Sequence, residues 1–367
     1  MQFIFNEFKT GVFIDREIPS IEKIAAGLNF SGEISSLNPL FVCDENTLPI
    51  AERIRGKENL PVCVLKSGEE NKNWQAVQEI LKVAHNAGLG RDGIFIAVGG
   101  GVIGDLCGFA SSIYMRGCRF VLVSTTLLGM VDASVGGKTG FDLFGIKNLV
   151  GTFYPAQNVY MPLESLATLP EREWKSGMAE LIKTAILDGD DFLDKTAETA
   201  VICKSGFCAA KLHETENLRE CIEKAVLYKG GVVSEDLRES GKRMLLNLGH
   251  TFAHALEAAS GLGKLSHGEA VAWGIVRSCE LGLALRITPQ ERAKKITEII
   301  KTFGYYCESP HPLANSAEEL LNAMKSDKKK KQGKLTFIVP NENSAQSVSI
   351  CGEDEIKTVK NILAGNI

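Results

Sequence analysis

Hydrophobic residues in the first half of the chain occur in short continuous runs, separated by stretches with helical spacing. The runs predict strands at Leu40–Cys43, Val62–Leu65, Ile94–Val98, Phe120–Val123 and Val159–Met161. Between the second and third strands, apolar residues from Trp74 to Ala84 recur at the spacing of a helix. Strands that are apolar throughout and alternate with helices are typical of a mostly parallel sheet covered on both faces. Phe3–Phe8 and Val12–Ile14 predict an added N-terminal hairpin.

The pattern changes near the middle of the chain, where helical spacing replaces this alternation. Thr168–Glu171 fits a capping box with proline in the first turn, and it predicts the start of a long helix. Nearly all of the chain from there to about Gly304 is predicted helical, and Leu335–Val339 predicts a further strand. We therefore expect two domains. They are an α/β domain at residues 1–170 and a mainly α-helical domain at residues 171–367.

Length and composition narrow the class of protein. A chain of 367 residues is long for one hydrophobic core, so roughly two domains are expected. The net charge of −4 gives no overall field that would attract nucleic acid or an anionic membrane. No apolar run reaches the roughly 20 residues of a membrane helix, and no signal-peptide pattern begins the chain. Ten cysteines without a Cys-x-x-Cys pair predict reduced thiols in a cytoplasmic protein.

A glycine-rich loop follows the predicted strand Ile94–Val98. Gly99–Asp105 has the G-x-G-x-x-G spacing between a strand and a helix, where the backbone can approach a pyrophosphate and the helix N-terminus favours its charge. The acidic residue normally expected about 20 positions later is absent, because the next strand ends in Ser124–Thr126. The loop therefore predicts phosphate binding without ordinary Rossmann geometry. A glycine turn needed only for tight packing is the alternative.

A second loop rich in glycine and lysine runs from Asp132 to Gly140 and is followed by Lys147 and Asn148. Its Gly-Gly-Lys-Thr sequence resembles the end of a P-loop, but an aspartate stands where the P-loop needs its first glycine. ATP binding is therefore not favoured. Lysines on such loops bind phosphate or carboxylate as mobile point charges, although a single loop lysine is more commonly only solvated.

Three of the six histidines, His250, His254 and His267, fall within eighteen positions. The first two are four apart and share one face of a predicted helix. Neutral imidazole is a preferred zinc ligand, and a catalytic zinc site needs three protein ligands. Glu180 offers a carboxylate three residues before Lys183, on the helix that opens the second domain. From these residues alone, a metal site and a solvated helix face with a surface ion pair both remain open.

Taken together, these residues resemble the 3-dehydroquinate synthases, the sugar phosphate cyclases that form the first ring of the shikimate pathway. The resemblance extends from about Ser67 to Val339. The motifs that carry it are Ser67–Glu69 with Lys72, Gly99–Asp105, Tyr114–Gly117, Thr125-Thr126, Val131–Gly140, Lys147-Asn148, Leu169–Glu173, Ala179–Lys183, Lys229 with Asp236, Arg243–His254, His267–Val271 and Asp327–Lys329.

The resemblance implies two cofactors. A divalent metal ion, zinc or cobalt, is implied at Glu180, His250 and His267, and His254 is assigned to the substrate, a choice that helical spacing alone would not have made. NAD is also implied, with Asp105 near its nicotinamide. The residues implied in NAD binding are Glu69, Lys72, Gly101, Val102, Ile103, Gly104, Asp105, Thr125, Thr126, Lys138, Lys147, Ser165, Leu166, Ala167 and Thr168.

The resemblance also implies the reaction, the conversion of 3-deoxy-D-arabino-heptulosonate 7-phosphate into 3-dehydroquinate and phosphate. The substrate and catalytic residues that it implies are Asp132, Lys138, Asn148, Lys183, Lys229, Arg243, Asn247, His254 and one lysine of the run 328–331. Arg116 is implied to reach the site of a neighbouring subunit, which implies a homodimer. The chain departs from the family at Phe141–Ile146, where a sequence of the Asn-Leu-Pro-Glu-Gly type is usual, and at Leu237, where an acidic residue is frequent.

The placement of Arg243 relative to the histidines is left open by the sequence. Arg243 lies seven residues before His250 and Asn247 lies three before it, so one continuous helix would place all three on one face. A helix that starts later would place Arg243 on a loop. In either case, a guanidinium suits the C1 carboxylate of the heptulosonate, because it can offer two parallel hydrogen bonds.

Three other functions are alternatives to this one. A sibling cyclase would act on a sugar phosphate that lacks the carboxylate. A metal-dependent dehydrogenase of the glycerol dehydrogenase type would release NADH and would not need Lys138, Asn148 and Lys183 together. A nucleotide-sensing protein on a former enzyme scaffold would be marked by a lost metal ligand, and here all three implied ligands are present.

Overall fold

The computed structural model describes residues 1–199, 216–239, 241–261, 264–328 and 335–366. The chain separates into two compact units. Unit 1 contains Met1–Leu169 and Ala209–Arg238, and unit 2 contains Pro170–Cys208 and Glu239–Ile367. The division into domains at residues 1–170 and 171–367 stays a prediction.

Unit 1 is built on a seven-stranded, mostly parallel sheet. Its strands, in spatial order, are β1 (Gln2–Phe5), β2 (Phe8–Asp15), β9 (Asn158–Pro162), β6 (Arg119–Ser124), β5 (Ile94–Gly99), β3 (Pro39–Asp44) and β4 (Val62–Leu65). The β1–β2 pair is antiparallel, and the other neighbouring pairs are parallel. The α/β fold, its five apolar strands and its N-terminal hairpin are therefore confirmed.

The helices of unit 1 that precede residue 170 are α1 (Ile21–Gly27), α2 (Leu48–Arg55), α3 (Trp74–Asn86) and α4 (Gly101–Ile113). Ile24 of α1 and Ile54 of α2 belong to one core cluster with Phe41, Ile96 and Val121 of the sheet. Burying each of these side chains contributes roughly 1.5–3 kcal/mol. The strands are apolar at successive positions because both of their faces are covered.

A separate antiparallel hairpin packs against α4. It consists of β7 (Lys138–Leu143) and β8 (Ile146–Phe153). The loop predicted from Asp132 to Gly140 overlaps the start of this strand, so the prediction is wrong for residues 138–140. The strand was not predicted because glycine and lysine are not typical of strands. Gly140 pairs with Gly151 across the hairpin, where the two backbones leave no room for a β-carbon.

The helices of unit 2 are α5 (Glu171–Asp188), α6 (Asp190–Glu198), α8 (His250–Ser260), α9 (His267–Ala284), α10 (Gln290–Thr302), α11 (Ala317–Lys328) and α12 (Glu353–Ala364). The hairpin of β10 (Leu335–Pro340) and β11 (Ala345–Ile350) accompanies them. The hydrophobic core of unit 2 includes Phe252, Trp273 and Phe337. Helix α9 is buried on most of its surface because α5, α8, α10, α12 and β10 all pack against it. The mainly helical character predicted for the second half is confirmed.

Helix α7 (Glu216–Glu235) follows residue 170 in the sequence but belongs to unit 1. It packs against β1 and against the turn Gly129–Ala133. Gly230 faces the ring of Phe3, so closely that a β-carbon there would meet the ring carbons. None of the helices in the described parts of the chain is long and apolar enough to span a membrane.

The capping box predicted at Thr168–Glu171 is wrong. Thr168 ends a 3-10 turn that starts at Leu163, and α5 begins at Glu171 after Pro170. No side chain caps this end of α5; the carbonyl of Pro170 accepts from the backbone N–H of Trp174 and begins the helix. Proline suits this position because it has no N–H to satisfy and its φ is fixed.

Candidate active site

The glycine loop of unit 1 is the turn between β5 and α4. Helix α4 begins at Gly101, and no side chain caps this end, so its first N–H groups can meet an anion. A β-carbon at Gly100 would lie 2.8 Å from Cγ2 of Thr126, and one at Gly101 would lie 3.4 Å from Cβ of Ala133. The loop has the strand–turn–helix context that its spacing predicted.

A pocket lies beside this loop, and Gly101, Asp105, Ser124, Ser134 and Lys138 contribute to its lining. Within the described residues, the buried hydroxyls of Ser124 and Ser134 have no hydrogen-bond partner. Buried hydroxyls normally have one. The pocket therefore offers donors and acceptors that a bound polar ligand can satisfy, and the residues fit a nucleotide.

Lys72 links residues from three segments of unit 1. Its Nζ donates to Oδ2 of Asp105 and to Oδ1 of Asn148, each at 2.6 Å. The side chain of Lys72 is buried, and burial alone would lower its pKa, but the carboxylate of Asp105 raises the pKa above its ordinary value. The ammonium is therefore charged at neutral pH. The structure thus brings two predicted NAD residues together with one predicted substrate residue.

Lys229 and Asp132 form a second pair of predicted residues in unit 1. Nζ of Lys229 donates to the backbone carbonyl of Asp132 at 2.6 Å and lies 2.7 Å from Oδ1 of its carboxylate. Lys229 is buried. The pair ties α7 to the end of the turn Gly129–Ala133, so both side chains are held in place.

The remaining predicted NAD residues lie on several loops of unit 1. Ser165 Oγ lies 3.3 Å from the carbonyl oxygen of Thr125, which joins the turn Leu163–Thr168 to the segment after β6. Ile103 and Leu166 are fully buried, so they present backbone rather than side chain to a ligand. The exposed residues of this set are Glu69, Lys138, Lys147 and Thr168, and the partly exposed ones are Val102, Thr126 and Ala167.

In unit 2, Glu180, His250 and His267 form a cluster whose ligand atoms all lie within 4.8 Å of one another. Nε2 of His267 is 3.3 Å from Oε1 of Glu180, and Nε2 of His250 is 3.7 Å from the same oxygen. Glu180 is only 1% exposed. One carboxylate and two imidazoles are a donor set suited to zinc and its neighbours, so these residues fit a divalent metal ion.

His254 lies beside this cluster on α8. It is exposed, and its ring centroid is 5.5 Å from that of His250. The group of candidate ligands found among the described residues does not include it. The assignment of His254 to the substrate stays a prediction.

Charges around the cluster act differently on its two histidines. Burial lowers the pKa of His250 well below its ordinary value, and the ammonium of Lys183 adds to this lowering. Burial also acts against a proton on His267, but hydrogen bonds to Glu180 and Glu257 outweigh it and raise the pKa of His267. Lys183 lies one turn after Glu180, is 2% exposed and forms an ion pair with its Oε2. A metal ion binding here would displace the proton of His267.

The segment before α8 is not a continuous helix. Lys242–Asn247 is a 3-10 turn, and α8 begins at His250 after Gly249, whose φ is +81°. A β-carbon at Gly249 would lie 2.8 Å from the backbone nitrogen of Ile275. Glycine is therefore required where α8 starts against α9. Of the two placements that the sequence left open, the structure has the later helix start, with Arg243 buried in the turn.

Three acidic residues at these sites were missed by the sequence analysis. Oε1 of Glu257 lies 3.4 Å from Nδ1 of His267, and Oε1 of Glu239 accepts from Nδ2 of Asn247 at 2.5 Å. Oδ1 of Asp142 accepts from the backbone N–H of Asn148 at 2.7 Å. Only Glu257 had a sequence signal, because it lies seven residues after His250 and so shares its helix face.

The chain matches a known family over most of its length. Residues 62–176 match the family described as 3-dehydroquinate synthase N-terminal, and residues 177–330 match that described as 3-dehydroquinate synthase C-terminal. A 3-dehydroquinate synthase from Colwellia psychrerythraea is 41% identical over 277 residues, 76% of this chain and 76% of that protein. The chain belongs to the 3-dehydroquinate synthase family. The relatives are named for an enzyme activity, and the chain is accordingly an enzyme.

Solved sugar phosphate cyclases share the fold. The 2-epi-5-epi-valiolone synthase from Streptomyces hygroscopicus subsp. jinggangensis, with NAD⁺ and Zn²⁺ bound, has a TM-score of 0.83 at 23% identity and covers 98% of both chains. A 2-deoxy-scyllo-inosose synthase complexed with carbaglucose-6-phosphate, NAD⁺ and Co²⁺ has a TM-score of 0.79 at 22% identity, over 99% of this chain and 98% of that one. These similarities extend over both units and establish the common fold.

Asn148 accepts a hydrogen bond from Lys72 although it follows Phe141–Ile146, where the sequence analysis expected a departure from the family. The departing residues form the end of the β7–β8 hairpin, where Phe144 is 86% exposed and has a φ of +54°. Asn148 itself has a φ of +51°, and the carboxylate of Asp142 holds its N–H. The second departure, Leu237, is buried.

Proposed function

We propose that this chain converts 3-deoxy-D-arabino-heptulosonate 7-phosphate into 3-dehydroquinate and inorganic phosphate, the activity after which its family is named. The observation that carries the proposal is the cluster of Glu180, His250 and His267 in a chain that matches both parts of the family. The glycine-loop pocket adds a second cofactor site. A nucleotide-sensing protein has no need of a buried carboxylate between two imidazoles.

The cofactors that we propose are NAD and one divalent metal ion, zinc or cobalt. Structural relatives have been solved with NAD⁺ and Zn²⁺ and with NAD⁺ and Co²⁺. The unsatisfied hydroxyls beside the glycine loop and the donor set in unit 2 support both assignments. When bound, NAD supplies a reversible oxidation of a substrate alcohol, and the metal ion supplies a Lewis acid that lowers the pKa of that alcohol.

The chain's own residues bind and orient the substrate. In our assignment, Lys138, Asn148 and a lysine of the run 328–331 hold the phosphate, and Arg243 and Lys229 hold the C1 carboxylate. Lys328 ends α11, and 329–331 lie outside the described residues. The ammonium groups fit a phosphate that leaves as a dianion. The guanidinium fits a carboxylate through two parallel hydrogen bonds. Holding one substrate at both ends keeps its reacting carbons in place through several steps.

Three further residues of the set act on the substrate's protons and oxygen atoms. His254 is exposed beside the metal cluster, where its imidazole can take a proton from the substrate or give one to it. Lys183 places a buried positive charge against Glu180, and this charge favours a substrate oxygen in its anionic form. Asn247, held by Glu239, offers an oriented amide to a substrate hydroxyl.

The substrate assignment is tested by comparing two sugar phosphates. The sibling cyclases act on substrates without a carboxylate, so the enzyme should have a higher kcat/KM for the heptulosonate 7-phosphate than for sedoheptulose 7-phosphate. Phosphate release reports turnover of both. A preference for sedoheptulose 7-phosphate would exclude the carboxylate clamp and move the chain to the sibling cyclases.

The active enzyme is, in our proposal, a cytoplasmic homodimer in which Arg116 completes the neighbouring subunit's site. Arg116 is exposed at a φ of +70° on a turn beside exposed Ile113 and Met115. Apolar side chains at a strained surface turn support an interface. The eight cysteines that the structure describes are all free thiols, as suits a reducing compartment.

The role of Arg116 is tested by mixing two inactive variants. Arg116→Ala and His267→Ala chains should regain part of the activity when subunits exchange, because one site of the mixed dimer has an intact metal cluster and an intact partner arginine. Failure of the mixture, with dimers forming normally, would place Arg116 in the site of its own chain. A monomeric wild type would exclude the dimer.

A further inference from the structure

The two ring nitrogens of His267 face two different carboxylates in unit 2. Nε2 lies 3.3 Å from Oε1 of Glu180, and Nδ1 lies 3.4 Å from Oε1 of Glu257. The two nitrogens occupy different edges of the imidazole ring. Because Glu180 is shared with His250, the Nε2 edge is the side of the metal cluster. Glu257 therefore contacts His267 from the side that faces away from the proposed metal ion.

His250 is held in a similar way. Its Nδ1 lies 3.2 Å from the backbone carbonyl oxygen of Leu248, while its Nε2 faces Glu180. A carbonyl oxygen only accepts hydrogen bonds, so Nδ1 carries the proton and Nε2 presents its lone pair. Both candidate metal ligands thus have an acceptor at Nδ1. For His250 that acceptor is neutral backbone, and for His267 it is a carboxylate.

Local structure fixes Glu257 and His267 relative to each other. Glu257 lies on α8, on the same face as His250 and two turns later. His267 is the first residue of α9, whose start is fixed by a capping box between Ser266 and Glu269. The side chain of Glu257 is only 16% exposed, so water screens its charge weakly.

We propose that Glu257 is a positioning residue for the metal site: its carboxylate accepts from Nδ1 of His267 and holds the lone pair of Nε2 toward the metal ion. The inference rests on the metal site proposed above. A carboxylate behind a ligating imidazole fixes its tautomer and orientation and makes it a better donor. It also places a negative charge near a doubly charged cation.

The test measures zinc affinity by competition with a chromophoric chelator. Removing such an outer carboxylate costs roughly 10–100-fold in metal affinity, and we expect a loss of this size for Glu257→Ala. Glu257→Gln should lose less, because its amide oxygen still accepts from Nδ1 but carries no charge. Glu291→Gln removes the same charge from an exposed position of α10 and should bind zinc like the wild type.

Two further readouts separate positioning from a structural role. The visible absorption of the cobalt-substituted protein should shift in Glu257→Ala at unchanged coordination number, because the donor strength of His267 changes. The thermal unfolding midpoint of the metal-free variant should equal that of the metal-free wild type. A structural role would instead lower that midpoint and weaken zinc binding equally in the alanine and glutamine variants, and this result would overturn the inference.

The remaining outcomes distinguish this inference from the proposed function. Wild-type zinc affinity in Glu257→Ala, with zinc lost from His267→Ala, would overturn the role of Glu257 and leave the metal site intact. A change of coordination number in the cobalt spectrum would also overturn it, because Glu257 would then be a metal ligand itself. Wild-type affinity in His267→Ala would remove the metal site and the inference together.

Discussion

Individual residues of the candidate site differ in function according to their immediate neighbours. His254 and His267 belong to the same short segment, and His267 has a carboxylate facing each of its ring nitrogens. The sequence shows which residue types are present, but it does not predict which of these side chains contact each other. His267 meets Glu180 across 87 positions of the chain, and Lys72 meets Asn148 across 76. Contacts between residues so far apart in the sequence form only on folding. From the sequence alone, only the resemblance to a family pointed to the three candidate metal ligands.

Replacing two histidines separately should give two different losses. His267→Ala should lose bound metal and activity, because it removes one of three ligands. His254→Ala should retain its metal and turn over poorly, because its imidazole lies outside the cluster. Metal content by elemental analysis, with phosphate release, checks both. Full activity of His267→Ala would contradict the ligand assignment, and metal loss in His254→Ala would make His254 a ligand.

Arg243→Lys tests the carboxylate clamp. A lysine keeps the charge but offers a single point contact, so the variant should lose roughly 1–3 kcal/mol of transition-state binding for the heptulosonate 7-phosphate. Its kcat/KM for sedoheptulose 7-phosphate should change little, because that substrate has no carboxylate. Arg219→Lys, at a partly exposed position of α7, is the control. Equal losses for both substrates would mean that Arg243 serves another purpose.

Helices and strands were predicted well where most of their side chains are buried, and poorly where polar residues are exposed or where the chain enters a helix. The five parallel strands were found because continuous apolar runs mark strands buried on both faces. Strand β11 was missed because its polar residues are mostly exposed. The start of α5 was misplaced because a capping-box pattern is common, and here Pro170 begins the helix without a side-chain cap.

The junction before α8 makes a prediction about stability. Gly249→Ala should lower the free energy of unfolding by more than the roughly 1–2 kcal/mol that a left-handed backbone costs alanine. The added methyl would also press on the backbone of Ile275, and zinc affinity should fall because His250 is the next residue. Gly304→Ala is the matched control, with a φ of +79° and, in the described structure, open space around the added carbon. Equal losses in denaturant unfolding of the two variants would contradict the proposed packing at Gly249.

At the scale of the whole molecule, the chain combines the glycine-loop pocket of unit 1 with the candidate metal site of unit 2. Fold alone does not separate the functions that this architecture supports, since function depends on the site. The match to both parts of one family distinguishes among these functions, and the candidate metal ligands Glu180, His250 and His267 are consistent with it. A dehydrogenase of similar architecture would consume NAD, whereas the proposed reaction returns it unchanged.

The most direct test is a turnover experiment in which the amount of NAD is much smaller than the amount of substrate. The zinc protein is mixed with the heptulosonate 7-phosphate and a small amount of NAD, and phosphate and NADH absorbance are followed together. We predict that many equivalents of phosphate are released per NAD, with no accumulation of NADH, because the hydride taken from the substrate is returned to it. Release of NADH in step with product, stopping when NAD is exhausted, would contradict the account and identify a dehydrogenase.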